Sequence, residues 1–455
     1  MYITIINGSP KGQYSVTLQT ALYLQKLFPE HTYDIINAGR RIKSLEKDFS
    51  QVKESMEKAD ILLFSYPVYT FLAPAQLHRF IELLKNSGWE LSGKIATQIT
   101  TSKHFYDVTA HTYIKENCLD MGLRFINGLS ADMDDLTTEK GQTQAKKFFE
   151  HLLFRAENSL FERPAAPMGK PAHLPVTVPL PREKKTGRDI VVVTDCEAEN
   201  EQLSGMISRF DAVLPYPVRV VNLCDFPFAG GCLGCLNCAS TGKCVYKDGF
   251  DTYLREKIQT SDAIVYAFTI KDHSMGALFK TYDDRQFCNG HRTVTMGKPV
   301  GYIISGDLSE EENLRLVLRG RSQAGGNFLA GPATDEFDTN KEIDDMAAEL
   351  SWALENNYAP PSDFLGVGGI KIFRDLIYGM RGIMKEDHKF YKEHGLYDFP
   401  QKKKGTTALM YLAGAALSND KIRAKMGNKM NEGMLLPYKS ILEKAVPVHK
   451  NEKEK

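Results

Sequence analysis

The chain has 455 residues, room for two or three domains at roughly 100–200 residues each. Its 57 basic and 57 acidic residues cancel, and 42% apolar with 25% charged is ordinary globular composition. Nothing in that balance calls for a nucleic-acid or anionic-lipid partner. The amino terminus, MYITIINGSPKG, enters a β-branched apolar run with no basic leader and no cleavage site. No signal peptide is expected, and the address reads as cytoplasmic.

The first 160 residues alternate apolar strands with amphipathic helices. Strands are predicted near 2–7, 33–37, 60–65, 94–99 and 124–128, with helices near 15–27, 50–57, 74–86, 107–120 and 140–157. That rhythm implies a parallel sheet covered on both faces. A stretch holding Pro164, Pro167, Pro171, Pro175, Pro179 and Pro181 follows, too dense in proline for a helix or an inner strand. The strands restart near 190–194, 218–223, 263–269, 299–305 and 326–330. Ala59-Asp60-Ile-Leu-Leu-Phe aligns without a gap to Ser261-Asp262-Ala-Ile-Val-Tyr. In the helices that follow, Ala75 falls opposite Ala277 and Leu77 opposite Phe279, so an internal duplication is expected.

From about 357 helical spacing takes over, with Ile370, Phe373, Ile377, Met380 and Met384 on one face. This tail reads as a helical appendix on the second domain or on a partner subunit. Its apolar run, Ala408–Leu417, follows Lys402, Lys403 and Lys404. It is too short to span a bilayer and reads as a buried helix rather than a membrane-surface one. The resulting division is 1–161, a proline-rich linker 162–187, 188–356, and a helical extension 357–455.

Two stretches carry chemistry. GSPKGQYSVTL, residues 8–18, joins the first strand to the first helix, where an open α/β sheet turns helix N–H groups toward an anion. Gly8 permits a tight turn, Ser9, Ser15 and Thr17 offer hydroxyls, and Lys11 a charge. The bland alternative is Ser15 as a plain helix cap with Lys11 solvated. The second stretch is GGCLGCLNCASTGKC, with Cys232, Cys235, Cys238 and Cys244 spaced C-x2-C-x2-C-x5-C. Three cysteines at three-residue steps suit a [4Fe–4S] cluster, which Cys244 closes, better than zinc or free redox thiols. The scattered Cys118, Cys196, Cys224 and Cys288 read as small buried residues. Asp132, Asp134 and Asp135 read as solvated loop acids, Gly366-Val-Gly-Gly369 as a turn and cap, and Lys385–His394 as a charged helix face.

The first stretch, together with SYPVYTFLAPAQLHRFIE from Ser65, resembles the flavodoxin-like NADPH-dependent FMN reductases. The cysteine stretch resembles the iron–sulfur flavoprotein branch of the same superfamily. The resemblance implies α/β architecture: two tandem flavodoxin-like, doubly wound, parallel five-stranded sheets plus the C-terminal helical extension. It implies that Ser9, Lys11, Ser15, Val16 and Thr17 hold the FMN phosphate and that Pro67, Val68, Tyr69 and Thr70 meet the flavin. A third loop, with Thr101, Ser102 and His104, completes that site, although a lone loop histidine is more often a surface residue. Cys232, Cys235, Cys238 and Cys244 would ligate the [4Fe–4S] cluster. NAD(P)H is the implied co-substrate, the partner a small molecule or a redox protein, and the assembly a homodimer; no membrane or nucleic-acid partner is expected.

The halves depart from each other. The first reads Asn37-Ala-Gly-Arg-Arg-Ile where the second has its cysteines. The second reads Thr194-Asp195-Cys196-Glu197 where the first has Asn7-Gly8-Ser9-Pro10, and its two acids would repel a phosphate. The expectation is therefore one FMN in the first half and one cluster in the second, serving an FMN- and iron–sulfur-dependent oxidoreductase. Two rivals stand beside it: a plain NAD(P)H:flavin or quinone reductase with a structural zinc, and a non-enzymatic electron carrier or redox-sensing scaffold. No catalytic acid or base is legible.

Overall fold

The computed structural model describes residues 1–68, 73–102, 104, 107–162, 175–232, 235–271, 274–419 and 429–447. The chain divides into two compact units, Met1–Pro164 with Asp398–Lys455, and Ala165–Tyr397.

In the first unit the order is β1 (Tyr2–Asn7), α1 (Val16–Leu27), β2 (Thr32–Ile36), α2 (Ala38–Leu45), α3 (Lys53–Lys58), β3 (Ile61–Pro67), α4 (Ala75–Asn86), β4 (Ile95–Ser102), α5 (Asp107–Asp120), β5 (Arg124–Phe125), β6 (Leu129–Asp132) and α6 (Glu139–Glu157). The strands lie β2-β1-β3-β4-β5, all parallel, and β6 also pairs with β4. The fifth position is thus shared by two short strands. Alternate strand residues feed opposite cores. Ile3, Ile5, Ile61 and Leu63 pack with Leu18, Leu24 and Phe149, while Ile6, Leu62 and Phe64 pack with Leu77, Phe80 and Ile114. A sheet buried on both faces explains why its strands read as unbroken apolar runs.

The second unit repeats the plan with β7 (Ile190–Thr194), α7 (Glu201–Val213), β8 (Val218–Asn222), α8 (Asn237–Thr241), α9 (Phe250–Tyr253), β9 (Ala263–Thr269), α10 (Gly276–Arg285), β10 (Pro299–Ser305), α11 (Glu312–Ala324), β11 (Phe328–Thr334) and α12 (Thr339–Asn356). Its sheet runs β8-β7-β9-β10-β11, the same parallel order. Both units therefore have the flavodoxin-like 2-1-3-4-5 arrangement.

Several segments differ from the sequence reading. Residues 163–174 of the proline-rich stretch lie outside the described residues, but its second part is held on the second unit. Arg209 donates to the Thr177 carbonyl at 2.5 Å, and the Lys185 N–H donates to the Pro215 carbonyl at 2.6 Å. The tail is split between the units. α13 (Phe364–Gly379) and α14 (Lys385–Glu393) belong to the second. The last helix, Lys429–Lys444, packs on the first, where Leu435 and Tyr438 join the core of α1 and α6 and the Tyr438 hydroxyl donates to the Met133 carbonyl.

Gly366-Val-Gly-Gly369 is not a turn but the first half of α13, and Gly366 is pressed against the Gln323 carbonyl. The apolar helix α15 (Lys404–Leu417) is not buried: Leu409, Met410, Tyr411 and Leu412 are all more than half exposed.

Candidate functional site

The first crevice lies at the carboxyl ends of β1, β3 and β4, where the strand order reverses. Asn7 organises its first loop. The Asn7 amide donates to the Gly12 carbonyl and to Asn37 Oδ1, both at 2.9 Å, and accepts from the Ser9 N–H. Gly12 sits at φ +58°, a left-handed turn that favours glycine. Gly8 does not take such a turn; its missing side chain leaves room for Leu77. Behind the loop, a Cβ on Gly39 of α2 would collide with the Gly8 carbonyl and the Ser9 backbone. The stretch after Asn37, which lacks cysteines, is thus a helix that braces this loop.

Ser9, Ser15 and Thr17 are buried, Val16 is half-buried and Lys11 is exposed. Ser15 caps α1 by accepting from the Leu18 N–H, and Ser9 Oγ accepts from the Lys11 N–H. Each hydroxyl uses a lone pair on the loop and keeps its proton to donate, beside a helix amino end that favours an anion. Thr17 Oγ1 meets Thr101 Oγ1 at 2.6 Å, tying this loop to β4. Pro67, paired in register with Thr101, and Val68 are half-buried at the end of β3. Tyr69 and Thr70 lie outside the described residues.

His104 is not a surface residue. It is buried, at φ +59°, and its Nδ1 lies 2.9 Å from Asp107 Oδ2 and 3.1 Å from Ser130 Oγ. Its backbone N–H donates to Ser102 Oγ, and Ser130 donates to the fully buried Asp107 at 2.6 Å. Asp107 holds the imidazole in one orientation, as a carboxylate does for a working histidine. Sequence reasoning missed Asp107 and Ser130. The only local signal was an acid three residues after the histidine, which also fits a plain helix start. Asp132 and Asp135 close the turn after β6, and burial pushes the Asp135 carboxyl up.

In the second unit the matching crevice is altered. Burial raises the Asp195 carboxyl to about 6, against the opposing pull of Lys271. The Cys196 N–H is taken by Thr194 Oγ1, and Asn200 caps α7. Of the scattered cysteines, Cys118 and Cys288 are buried, Cys196 is half-buried and Cys224 is exposed.

The cysteine stretch follows β8. Leu236 at φ +58° and Gly242 at φ +74° bracket α8, and a leucine in that conformation is a strained position of the kind that gathers at functional sites. Cys232 and Cys235 are exposed, Cys238 and Cys244 half-buried, and the Cys238 thiol donates to the Phe287 carbonyl at 2.8 Å. Two arginines grip the ends of the stretch. Arg285 donates to the Gly230 carbonyl at 2.8 Å and to both oxygens of Asp248. Arg255 donates to the Gly242 and Cys288 carbonyls at 2.7 and 3.0 Å.

α13 and α14 cover α8, with Ala239, Ile377, Met384 and Tyr391 in one cluster. α14 is therefore not simply a charged face: Asp387 is fully buried and accepts from His291 at 3.0 Å. Four soft thiols on one loop are the right donors for iron and sulfide. Among the described residues, no three His, Cys, Asp or Glu side chains stand close enough to share a metal ion. Leu233 and Gly234, between the first two cysteines, lie outside those residues.

Residues 1–113 match the family model described as NADPH-dependent FMN reductase. The chain is 28% identical over 175 residues to an iron–sulfur flavoprotein of Archaeoglobus fulgidus, covering 36% of this chain and 78% of that one. It is 35% identical over 54 residues to an iron–sulfur flavoprotein of Clostridioides difficile, 12% of this chain and 24% of that one. A solved NAD(P)H:quinone oxidoreductase from Methanothermobacter marburgensis aligns over 36% of this chain and 96% of its own, at 17% identity and a TM-score of 0.27.

Proposed function

We propose that this chain, whose residues 1–113 match the family model described as NADPH-dependent FMN reductase, is a flavin-dependent oxidoreductase that couples hydride transfer at one FMN in the first unit to one-electron transfer through one [4Fe–4S] cluster in the second. The observation that carries the division is the contrast at the strand ends. Buried Ser9, Ser15 and Thr17 hydroxyls line the first loop, while Asp195 and Glu197 stand at the second.

Ser9, Ser15 and the amino end of α1 bind the phosphate, with Lys11 at the rim. Thr17 and Thr101 hold the phosphate loop to the third loop. Pro67, Val68, Tyr69, Thr70 and Ser102 would meet the flavin, with the His104 imidazole held by Asp107 and Ser130. Bound flavin supplies a centre that accepts two electrons as hydride and releases them singly. In the second unit Cys232, Cys235, Cys238 and Cys244 hold the cluster. Cys232 and Cys235 are exposed and Cys238 and Cys244 half-buried, so all four thiols would have to share the cluster for iron to be held. The electron donor is NAD(P)H, the acceptor a small molecule or redox protein, the assembly a homodimer and the compartment the cytoplasm.

The test is anaerobic purification with flavin, iron and acid-labile sulfide counted per chain, alongside NAD(P)H oxidation with a generic acceptor. About one FMN and about four irons are expected. Two flavins per chain overturn the division. Stoichiometric zinc supports the simpler reductase, and negligible NAD(P)H turnover supports a carrier.

A further inference from the structure

The helix α15 has 14 residues, and none after Lys404 is charged. A helix apolar on every side belongs in a core or in a membrane. This one lies in no core: none of its described residues joins a hydrophobic cluster of either unit. Leu409, Met410, Tyr411 and Leu412 are 59%, 57%, 78% and 70% exposed. Successive helical residues turn by about 100°, so these four side chains face every direction around the axis. A flat protein surface would cover one side of such a helix and leave the others wet. Large apolar side chains exposed together in this way mark a contact surface.

Charge indicates the partner. The chain as a whole is neutral, with 57 basic and 57 acidic residues, but around α15 that balance breaks. Lys402, Lys403 and Lys404 lead into the helix, and Lys421, Arg423 and Lys425 follow it in the sequence. Asp420 is the only acid between Asp398 and Glu432. Lysines at a helix amino end oppose the helix dipole, so the three leading charges do not serve the helix itself. A second copy of α15 is a poor match for them. Both ends of the stretch are basic, so parallel and antiparallel pairing alike bring like charges together.

An anionic lipid surface meets both needs. Acyl chains surround an apolar helix on all sides, and headgroups neutralise lysines whose long stems reach back to the interface. At its 14 residues α15 is about 21 Å long, short of the ~30 Å hydrocarbon layer. Among the described residues no helix is long and apolar enough to cross a membrane.

We propose that α15 is a membrane-surface anchor, seated among the outer acyl chains of an anionic bilayer with Lys402, Lys403 and Lys404 at the headgroups. The assignment stands whatever cofactors the two units carry.

The experiment floats the full-length protein, with the cofactors it retains on purification, on two kinds of vesicle: phosphatidylcholine alone, and phosphatidylcholine mixed with phosphatidylserine. Binding to the anionic vesicles is expected to be at least ~10-fold tighter than to the neutral ones and to weaken as salt is raised. Lys402→Gln, Lys403→Gln and Lys404→Gln together should cost at least ~10-fold in affinity. Leu409→Ser with Leu412→Ser should abolish binding while flavin content and the melting curve of the free protein stay at wild-type values. Should the leucine pair misfold, the lysine triple and the salt series decide. Equal affinity for neutral and anionic vesicles overturns the anchor, and so does a folded leucine variant that floats like wild type. A wild type that does not float, but forms an oligomer that the leucine pair dissociates in sedimentation velocity, has a second copy on α15 and overturns it too.

Discussion

The two sheets are nearly interchangeable at one end and unlike at the other. At the amino ends of the strands the same bonds recur. Asp60 accepts from the Tyr2 N–H at 2.7 Å, and Asp262 from the Asp189 N–H at 2.8 Å. Lys94 donates to the Glu57 and Ala59 carbonyls, and Lys298 to those of Gln259 and Ser261. Gly93 bonds to Gly122, and Gly297 to Gly326, each at 3.0 Å with left-handed backbones. At the carboxyl ends the correspondence stops: Gly8 and Ser9 in one unit stand against Asp195 and Cys196 in the other. The amino end keeps what every such sheet needs in order to stand. The carboxyl end is where ligands are met, so it is free to diverge.

The largest expected effects test that division directly. Cys235→Ser should abolish iron binding while flavin stays at about one per chain, as read by metal analysis and the flavin spectrum. Ser9→Asp should do the reverse. It places a carboxylate at a buried position facing the phosphate, and FMN affinity should fall by at least ~100-fold, measured by fluorescence quenching of added FMN. If Cys235→Ser releases flavin as readily as iron, the units do not divide the cofactors.

A smaller effect distinguishes the second crevice. The Asp195 carboxyl sits at about 6, above its ordinary value, because burial opposes its charge. The folded protein therefore holds more protons than the unfolded chain between the ordinary carboxylate range and pH 6. Stability falls as pH rises through that window, and the cost is fully present above it. Asp195→Asn removes the cost. Allowing for solvent screening, the variant should gain about 1–2 kcal/mol at pH 7.5 and almost nothing at pH 4. Urea unfolding at the two pH values checks this. The first unit has Gly8 at this position and carries no such cost.

Strand placement was legible because Ile3, Ile5 and Ile6, or Val191 to Val193, are buried whichever face they point to. Such runs need no partner information. What escaped the sequence depends on groups far apart in the chain. Asp107 gains meaning only when Ser130 and His104 meet it. Asp387 looks like any surface acid until His291, 96 positions away, is found against it. The helix after Asn37 was not among the predicted elements, and the fit of Gly39 on the Gly8 backbone, which gives it its place, joins residues about 30 positions apart. The cysteine spacing raised the expectation of metal ligands, but Arg285 and Asp248, which brace that stretch from 37 residues apart, carry no local mark.

The smallest expected effect concerns the end where the units agree. Asp60→Ala and Asp262→Ala each remove a carboxylate that accepts a backbone N–H at the start of a central strand. Each should cost about 1 kcal/mol, the scale of a partly solvated charge-assisted bond. Asp262 also meets Arg188 at 3.3 Å, but that pair is about one-third exposed and adds little. A chain of two units need not unfold in one step, so a single melting curve would blur the pair. Hydrogen exchange on peptides spanning β1 or β7 separates them: each substitution should lower protection in its own sheet and leave the other sheet unchanged. Equal losses mean that the two Asp60-type contacts are one structural solution used twice. A loss in one sheet only would mean that the second unit has found other support, and that its divergence reaches beyond the crevice into the frame.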